Sequence, residues 1–477
     1  MCSTYAMPGA RMGRLFVCLL VATLVGACVT TSSATTGASR ARADQSPTGE
    51  AGGDAPGSDT VLGDRTVAGR SLATVTLSTP AANRSGAFTS SHRLRIPRGW
   101  RVEVWALVTD ARLETWTPQG DLLVSEPDAG RIVELTPRRG SPGTPPARRV
   151  LVAGLDRPQG MAFDRIRGHQ ILYVAEADAI DRYQWLGSRV GARRVLIGGL
   201  PQGDDHPLKN IVVNARHELF FDIGSDSNAT PPRASNPPWA SVMEYAPSGR
   251  RIRVWARGVR NGDGLAFAPD GALWAAINGR DQLAYPWRRR YGGFRDAFGR
   301  VIQSYVNDHP PDAIAKLTAG RNLGWPYCAA DPDIDPGLQT TALRYLNLPY
   351  QNDAQTNDSG RALDCAALPR LNVGLPAHSA PLGFHFLVGS RLPSWLRSGA
   401  IVAVHGSWDR EPPRAPAVLW LPWRSKTRSL GSAETLVSGF QNADGSRWGR
   451  PVDAVPGPDG ALYISDDTAG AVYRLWR

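Results

Sequence analysis

A chain of 477 residues with a formal charge of +11 is long enough for two or three average domains or for one large β fold. Its 50 glycines and 38 prolines punctuate it densely, which favours many short strands over long helices. Apart from Arg288-Arg289-Arg290 no basic run stands out. The excess charge therefore reads as solvated surface and argues against nucleic acid, although a site for an anionic cofactor could take up a few arginines.

The chain begins with a targeting signal. Residues 11–28, RMGRLFVCLLVATLVGAC, combine two arginines, an apolar run too short for a comfortable membrane span, and small residues before Cys28. Val25-Gly26-Ala27-Cys28 resembles a bacterial lipobox, whose cysteine is acylated and becomes the mature N-terminus. The expectation is an exported lipoprotein of the cell envelope or periplasm, tied to a membrane through Cys28. A plain signal peptide or an uncut anchor helix is the alternative. Residues 29–92 are rich in Ser, Thr, Ala and Gly with charges that cancel, so they read as a flexible tether unable to offset the entropy of folding.

From residue 93 onward the character changes. A turn rich in Gly, Asp or Asn repeatedly opens a strand that leads to a second. Copies begin at Pro118, Arg167, Asn214, Ala268, Gly399 and Gly457, the first four spaced by about 50 residues, as expected of propeller blades. The clearest is the hairpin from Phe267 to Ala276, where Ala268-Pro269-Asp270-Gly271 makes the turn and Leu265, Phe267 and Leu273-Trp274-Ala275-Ala276 flank it. Six copies predict an all-β fold, a six-bladed β-propeller over residues 93–477, preceded by the signal segment and the disordered linker. The last copy reaches Arg477, so an early strand near Trp100 to Ala106 is expected to complete the ring. A pair of β-sandwiches is the competing architecture. A long insertion is expected at about 282–398. It holds Cys328 and Cys365, the cysteines left besides Cys28 after the signal is removed; in an exported protein these are expected to form a structural disulfide.

Propellers place ligands on loops at one end of the central channel, so polar residues beside the strands are the candidates. His206 lies in GLPQGDDHPLKNIVV just before a strand. Arg260-Asn261 precedes the blade-four hairpin, Arg410 follows a blade-five strand, and Arg450 precedes the blade-six hairpin. Arginines at matching rims suit a ligand with several carboxylates, which guanidinium binds in bidentate fashion. Ordinary rim ion pairs would give the same pattern.

Several segments together carry a resemblance. They are RPQGMAF at Arg157, GDDHPLKN at Gly203, DIGSDSNA at Asp222, RGVRNGDGLAFAPDGALW at Arg257, NGRD at Asn278 and PPDAI at Pro310. GRNLGWPYC at Gly320, HSAPLGFHF at His378, VAVHGSWDR at Val402 and WGRPVDAVPGPDGALYISDD at Trp448 complete the set. In this order they resemble the sorbosone dehydrogenase and soluble glucose dehydrogenase family, six-bladed propellers that use pyrroloquinoline quinone (PQQ) and calcium.

The resemblance implies a quinoprotein that oxidises a sugar or a sugar-derived aldehyde and passes electrons to an unidentified acceptor. It implies that His206 is the general base, with an imidazole near its usual pKa, and that Gln159, Arg260, Asn261, Arg410 and Arg450 hold the quinone. It places calcium on the backbone carbonyls of Gly279 and Arg280 and the carboxylate of Asp312. The chain departs from the family at Ser225, where an acidic residue orients the base (Asp226 is one step on), at Val452, where a second rim arginine stands, and at Ala313, where Glu is usual. These losses leave a second reading, a cofactor-free propeller serving as a binding or scaffold module at the cell envelope. A third, a calcium-dependent lactonase, needs more converging acidic and amide ligands than the sequence offers.

Overall fold

The computed structural model describes residues 66–203, 205–248 and 251–477. The signal segment, Cys28 and the tether up to residue 65 lie outside the described residues. Among those described, no helix is long and apolar enough to cross a membrane.

The hairpin expected at Phe267 to Ala276 is present. Ala268 N–H donates to Ala272 O, Gly271 N–H to Ala268 O, and Gly271 holds φ +80°, which costs glycine nothing. It joins the strands Asn261–Phe267 and Leu273–Asn278, paired Phe267 to Leu273 and Ala266 to Trp274. Asp312–Leu317 and Leu371–Leu375 continue this sheet outward.

The same antiparallel plan recurs. Glu114–Trp116, Leu122–Glu126, Arg131–Thr136 and Ala147–Ala153 form one sheet, and Met161–Ile166, His169–Ala175, Ile180–Gln184 and Arg194–Ile197 the next. Ile211–Val213, Leu219–Ile223, Ser241–Ala246 and Arg251–Arg257 follow, and Pro381–Phe386, Gly399–Val404, Ala417–Arg424 and Glu434–Val437 come after the hairpin's sheet. The last contains Pro451–Pro456, Leu462–Asp466 and Ala471–Trp476, and its fourth strand is Arg101–Leu107 from the start of the folded chain. The first strands of successive sheets touch one another in order, and that of the last sheet touches Glu114–Trp116, so the contacts close on themselves. Strand faces that meet between sheets are apolar: Trp274, Val402 and Leu421 share one cluster, Tyr173, Phe221 and Met243 another. The architecture is propeller-type.

Close approach of the first strands demands residues without side chains. A Cβ on Gly264 would lie 2.3 Å from Leu382 O and 2.7 Å from Phe384 Cβ, and one on Gly383 would lie 2.0 Å from Asp453 Oδ1. Gly264→Ala is therefore expected to lower the melting temperature, at a cost of about 1–3 kcal/mol for overpacking. Calorimetry checks this against Gly271→Ala, where no atom lies within 4 Å and only φ is unfavourable.

Two expected boundaries are corrected. The tether was expected to reach residue 92, yet Thr66–Val67, Arg70–Thr76 and Arg93–Pro97 form a small sheet. Val67, Leu72, Leu77 and Phe88 are buried against the last two sheets, and Arg95 exchanges backbone hydrogen bonds with Ser438. A few well-spaced apolar residues outweigh a polar average. The insertion expected at about 282–398 is two excursions from one sheet, over residues 279–311 and 318–370, separated by the strand Asp312–Leu317. The expected disulfide joins Cys328 to Cys365 within the second excursion.

Candidate active site

Loops that precede the first strands, or follow the second, meet around a cavity of about 510 Å³ counting its open mouth. Its walls include His206, Arg260, Gly279, Asp312 and Arg450, five of the residues singled out in the sequence. Asp281, His378, Ser407, Trp408 and Asp409 also line it.

His206 is held in one tautomer. Its Nδ1 lies 2.9 Å from Ser225 Oγ and 3.2 Å from Ser225 O, while Ser225 Oγ donates its own proton to Ser227 O at 2.7 Å. Both oxygens facing Nδ1 are therefore acceptors, Nδ1 carries the proton, and Nε2 keeps its lone pair. The Ser225 departure thus still orients the ring. Asp226 does not take part; it pairs with Arg233 at 3.1 Å. The expectation of an imidazole near its usual pKa is corrected. Burial, and then the Arg260 charge, push it down to about 3, against the opposing pull of the Ser225 hydrogen bond.

Arg260 is only 6% exposed and firmly braced. Its Nε donates to Asn228 O at 3.1 Å, Nη1 to Gly279 O at 2.7 Å, and Nη2 to Asn228 Oδ1 at 2.9 Å and to Asp281 Oδ2 at 3.0 Å. Arg450 is held more lightly, by His405 O at 2.8 Å and Gly406 O at 3.3 Å. Two guanidinium groups with uneven support thus stand on the walls of one cavity beside a basic ring nitrogen.

Asp312 braces the loops. One carboxylate oxygen accepts from Gly279 N–H at 2.7 Å and the other from Ala380 N–H at 2.8 Å, while burial pushes its pKa up to about 6. Gly279 O and both Asp312 oxygens keep a second lone pair, so their chemistry remains compatible with a calcium ion at this wall. The Arg280 side chain leaves the cavity, pairing with Asp353 and donating to Gln355 Oε1 at 2.6 Å.

Three expected quinone contacts fall outside the lining. Gln159 is fully buried, its Oε1 accepting from Arg112 at 3.0 and 3.2 Å and its Nε2 donating to Asp263 Oδ1 at 3.0 Å. Asn261 donates to Asp263 Oδ2 at 2.9 Å. Arg410 turns back toward Asn307 O and Pro412 O; its neighbours Trp408 and Asp409 line the cavity instead. The position that lacks the second rim arginine, Val452, is wholly buried with Leu113 and Leu382, below the rim. Ala313 lines a different, apolar cavity with Leu323, Trp325 and Leu371.

Residues the sequence reading passed over are Asn228, Asp281, His378, Trp408 and Asp409. All five stand inside quoted segments, DIGSDSNA, NGRD, HSAPLGFHF and VAVHGSWDR, but were given no role there. Trp408, 69% exposed, is a large aromatic surface left open at the mouth.

Fold and site define a propeller-type β protein with an arginine-walled cavity and a basic imidazole. The family model described as TrAA12-like matches residues 94–477, and the chain belongs to that family. An uncharacterised protein of Borreliella burgdorferi is 28% identical over 275 residues, covering 57% of this chain and 60% of that protein. The pyrroloquinoline quinone-dependent pyranose dehydrogenase of Coprinopsis cinerea is 34% identical over 123 residues, covering 22% of this chain and 16% of that enzyme. The chain thus spans 60% or less of the length of these curated relatives. The solved holo PQQ domain of the Coprinopsis enzyme matches with a TM-score of 0.64 at 21% identity, covering 81% of this chain and 97% of that one. The calcium structure of the Trichoderma reesei carbohydrate-active enzyme of family AA12 matches with a TM-score of 0.64 at 20% identity, covering 80% and 96%. At these identities the structural likeness speaks for the fold.

Proposed function

We propose that the chain is an exported sugar dehydrogenase whose six larger sheets are the blades of one propeller, with PQQ and calcium as cofactors. The observation that carries this reading is one cavity walled by Arg260, Arg450 and a His206 whose Nε2 is unprotonated. A flat acid bearing several carboxylates matches two guanidinium groups on facing loops. Bound there, the quinone would supply the hydride acceptor and calcium the positive charge that polarises it. Gly279, Arg280 and Asp312 are the positions that would hold the calcium, and Arg260 and Arg450 the carboxylates. Gln159, Asn261 and Arg410 act one layer back, positioning the loops.

The rest of the chemistry belongs to the protein. His206 Nε2 takes the proton of the substrate hydroxyl as the carbon gives up its hydride, so an alcohol or hemiacetal carbon becomes a carbonyl. Ser225 stabilises the ring by accepting from Nδ1. An anionic ligand on Arg260 would offset the smaller of the two causes that depress the imidazole, while burial, the larger, remains. Trp408 offers the apolar face of a sugar ring a platform at the mouth. The substrate is a sugar or a sugar-derived aldehyde, the latter reacting as its hydrate so that a hydroxyl is present at the oxidised carbon; the electron acceptor is external, and Cys28 carries the lipid that keeps the enzyme at the envelope.

The buried, mutually satisfied amide of Gln159 and the apolar Val452 favour the second reading, a cofactor-free propeller. Reconstitution decides between them. Purified mature protein with PQQ and calcium is expected to bind one quinone per chain at micromolar concentration and to reduce a dye on addition of aldoses. No quinone binding at that concentration would overturn the enzyme reading. Mass spectrometry of the mature N-terminus tests lipidation of Cys28 separately.

A further inference from the structure

Three groups with metal-ligating atoms, Asp281, His378 and Asp409, line the same cavity. Asp281 follows the strand Leu273–Asn278, His378 precedes Pro381–Phe386, and Asp409 follows Gly399–Val404, so three separate loops deliver them. One ligand atom from each lies within 4.8 Å of the other two. His378 Nε2 stands 2.6 Å from Val306 O, which can only accept, so Nε2 carries the ring proton. Its Nδ1 stands 3.1 Å from Asp409 Oδ1 and 3.9 Å from Asp281 Oδ1.

Two species could reconcile a lone pair with two carboxylates: a second proton on the ring, or a metal ion. Geometry separates them. Asp409 Oδ1 is buried and makes no hydrogen bond, although Nδ1 is only 3.1 Å away. A proton on Nδ1 would therefore not be aimed at that oxygen. Ligands of a common ion behave differently, because their lone pairs point to a third place rather than at each other. Two ligands each about 2.1 Å from one ion, at bond angles of about 90–110°, stand about 3.0–3.4 Å apart. The His378–Asp409 separation falls in that range, and Asp281, 3.9 Å from Nδ1 and within 4.8 Å of the Asp409 ligand atom, has to draw closer to share the ion. Asp409 is the independent pointer: its side chain is 3% exposed and lines the cavity, and while Oδ2 accepts from Gln282 N–H at 3.2 Å, Oδ1 has no hydrogen-bond partner.

We propose that Asp281, His378 and Asp409 form a site for a divalent first-row transition ion, of the Mn²⁺ or Zn²⁺ class, open on one side to the cavity. One imidazole nitrogen with two carboxylates suits such an ion better than calcium, which takes oxygen ligands alone. The set shares no residue with Gly279, Arg280 and Asp312. Asp281 also accepts from Arg260 Nη2 at 3.0 Å, so an ion here would be tied directly to the arginine beside His206. The three protein ligands leave further positions of the ion facing the cavity, where water or a ligand oxygen completes the shell.

The test uses metal-stripped mature protein without quinone, so its outcome is independent of the dehydrogenase reading. Calorimetric titration with Mn²⁺ and with Zn²⁺ is expected to show one site per chain, tighter than for Ca²⁺. Asp409→Asn and His378→Gln are each expected to weaken it at least tenfold. Crystals soaked in Mn²⁺ are expected to give an anomalous peak among the three side chains, a readout of the wild-type protein that survives if a variant fails to fold. The proposal is overturned if that peak is absent at millimolar metal, if both variants bind as the wild type does, or if Ca²⁺ binds more tightly than either ion. Nitrogen NMR showing His378 protonated at Nδ1 in the presence of Mn²⁺-class metal (diamagnetic Zn²⁺ as the probe) overturns it too.

Discussion

His206→Ala is expected to lower turnover by about 10²–10⁴-fold, the usual worth of a positioned general base, while quinone affinity changes little. The ring is fixed by Ser225 through Nδ1, leaving Nε2 unprotonated in a side chain that lines the cavity. His206→Gln can keep a hydrogen bond to Ser225 Oγ yet offers no comparable base. An equal loss in both variants identifies proton transfer, whereas activity retained in the glutamine variant would assign His206 to positioning alone. The pH dependence is distinctive. With the imidazole pKa lowered to about 3 by burial and by Arg260, the free enzyme keeps its base neutral through the range in which an ordinary histidine would protonate. The kcat/KM profile, which reports the free enzyme, is expected to show no acid limb near pH 6.5 from this residue.

Stability carries the same signature with a definite sign. Unfolded, His206 takes up a proton near pH 6.5; folded, it resists protonation down to about pH 3. Between those values the unfolded chain binds more protons, so stability falls as the pH drops through that window and is complete above it. His405, whose pKa burial lowers to about 4, adds to the trend in the same direction. Comparing melting temperatures of wild type and His206→Ala at pH 7 and pH 5 checks the sign. The difference between the proteins should shift in favour of the variant at the lower pH.

The sheets were legible because their determinants are local. Asp270-Gly271 and Asp459-Gly460 each close a turn, with positive φ at the glycine, and alternating apolar residues beside them mark the strands. The closing strand, expected near Trp100 to Ala106, is Arg101–Leu107, paired with Ala471–Trp476. The small N-terminal sheet was not legible, since Val67, Leu72 and Phe88 are sparse among Ser, Thr and Ala and find their partners in the last two sheets. The two excursions were merged because the strand between them, Asp312–Leu317, is flanked by loops on both sides.

Loop residues were placed in the right region but not always with the right direction. Arg410 and Asp409 are adjacent, and which of them faces the cavity depends on the contact with Asn307, fixed only by the folded loop. The low pKa of His206 depends on Arg260, far along the chain and brought near by the fold. The resemblance identified the end of the channel; tertiary contacts decide which atoms are available there.

Arg450→Ala and Arg260→Ala are expected to separate ligand binding from structural support. Arg450 donates to two backbone carbonyls beside the open cavity, and water can replace it there. Its removal is expected to weaken quinone binding by about 10–150-fold, the equivalent of about 1.5–3 kcal/mol for hydrogen bonds to a charged group, with little change in melting temperature. Arg260 is different. It ties Asn228, Gly279 and Asp281 together, so its loss strips a partner from a carboxylate whose pKa burial already raises. That is expected to cost about 3 kcal/mol, the lower end for a broken buried pair because the Asp281 side chain is 20% exposed. Quinone binding falls with it. Removing the Arg260 charge also lifts one cause of the low His206 pKa, so in this variant the imidazole should titrate closer to its ordinary range, a shift that NMR can follow. Isothermal titration with PQQ and scanning calorimetry give the two axes. If Arg450→Ala leaves quinone affinity unchanged, the arginine-walled cavity is not the quinone site, whatever the effect at Arg260.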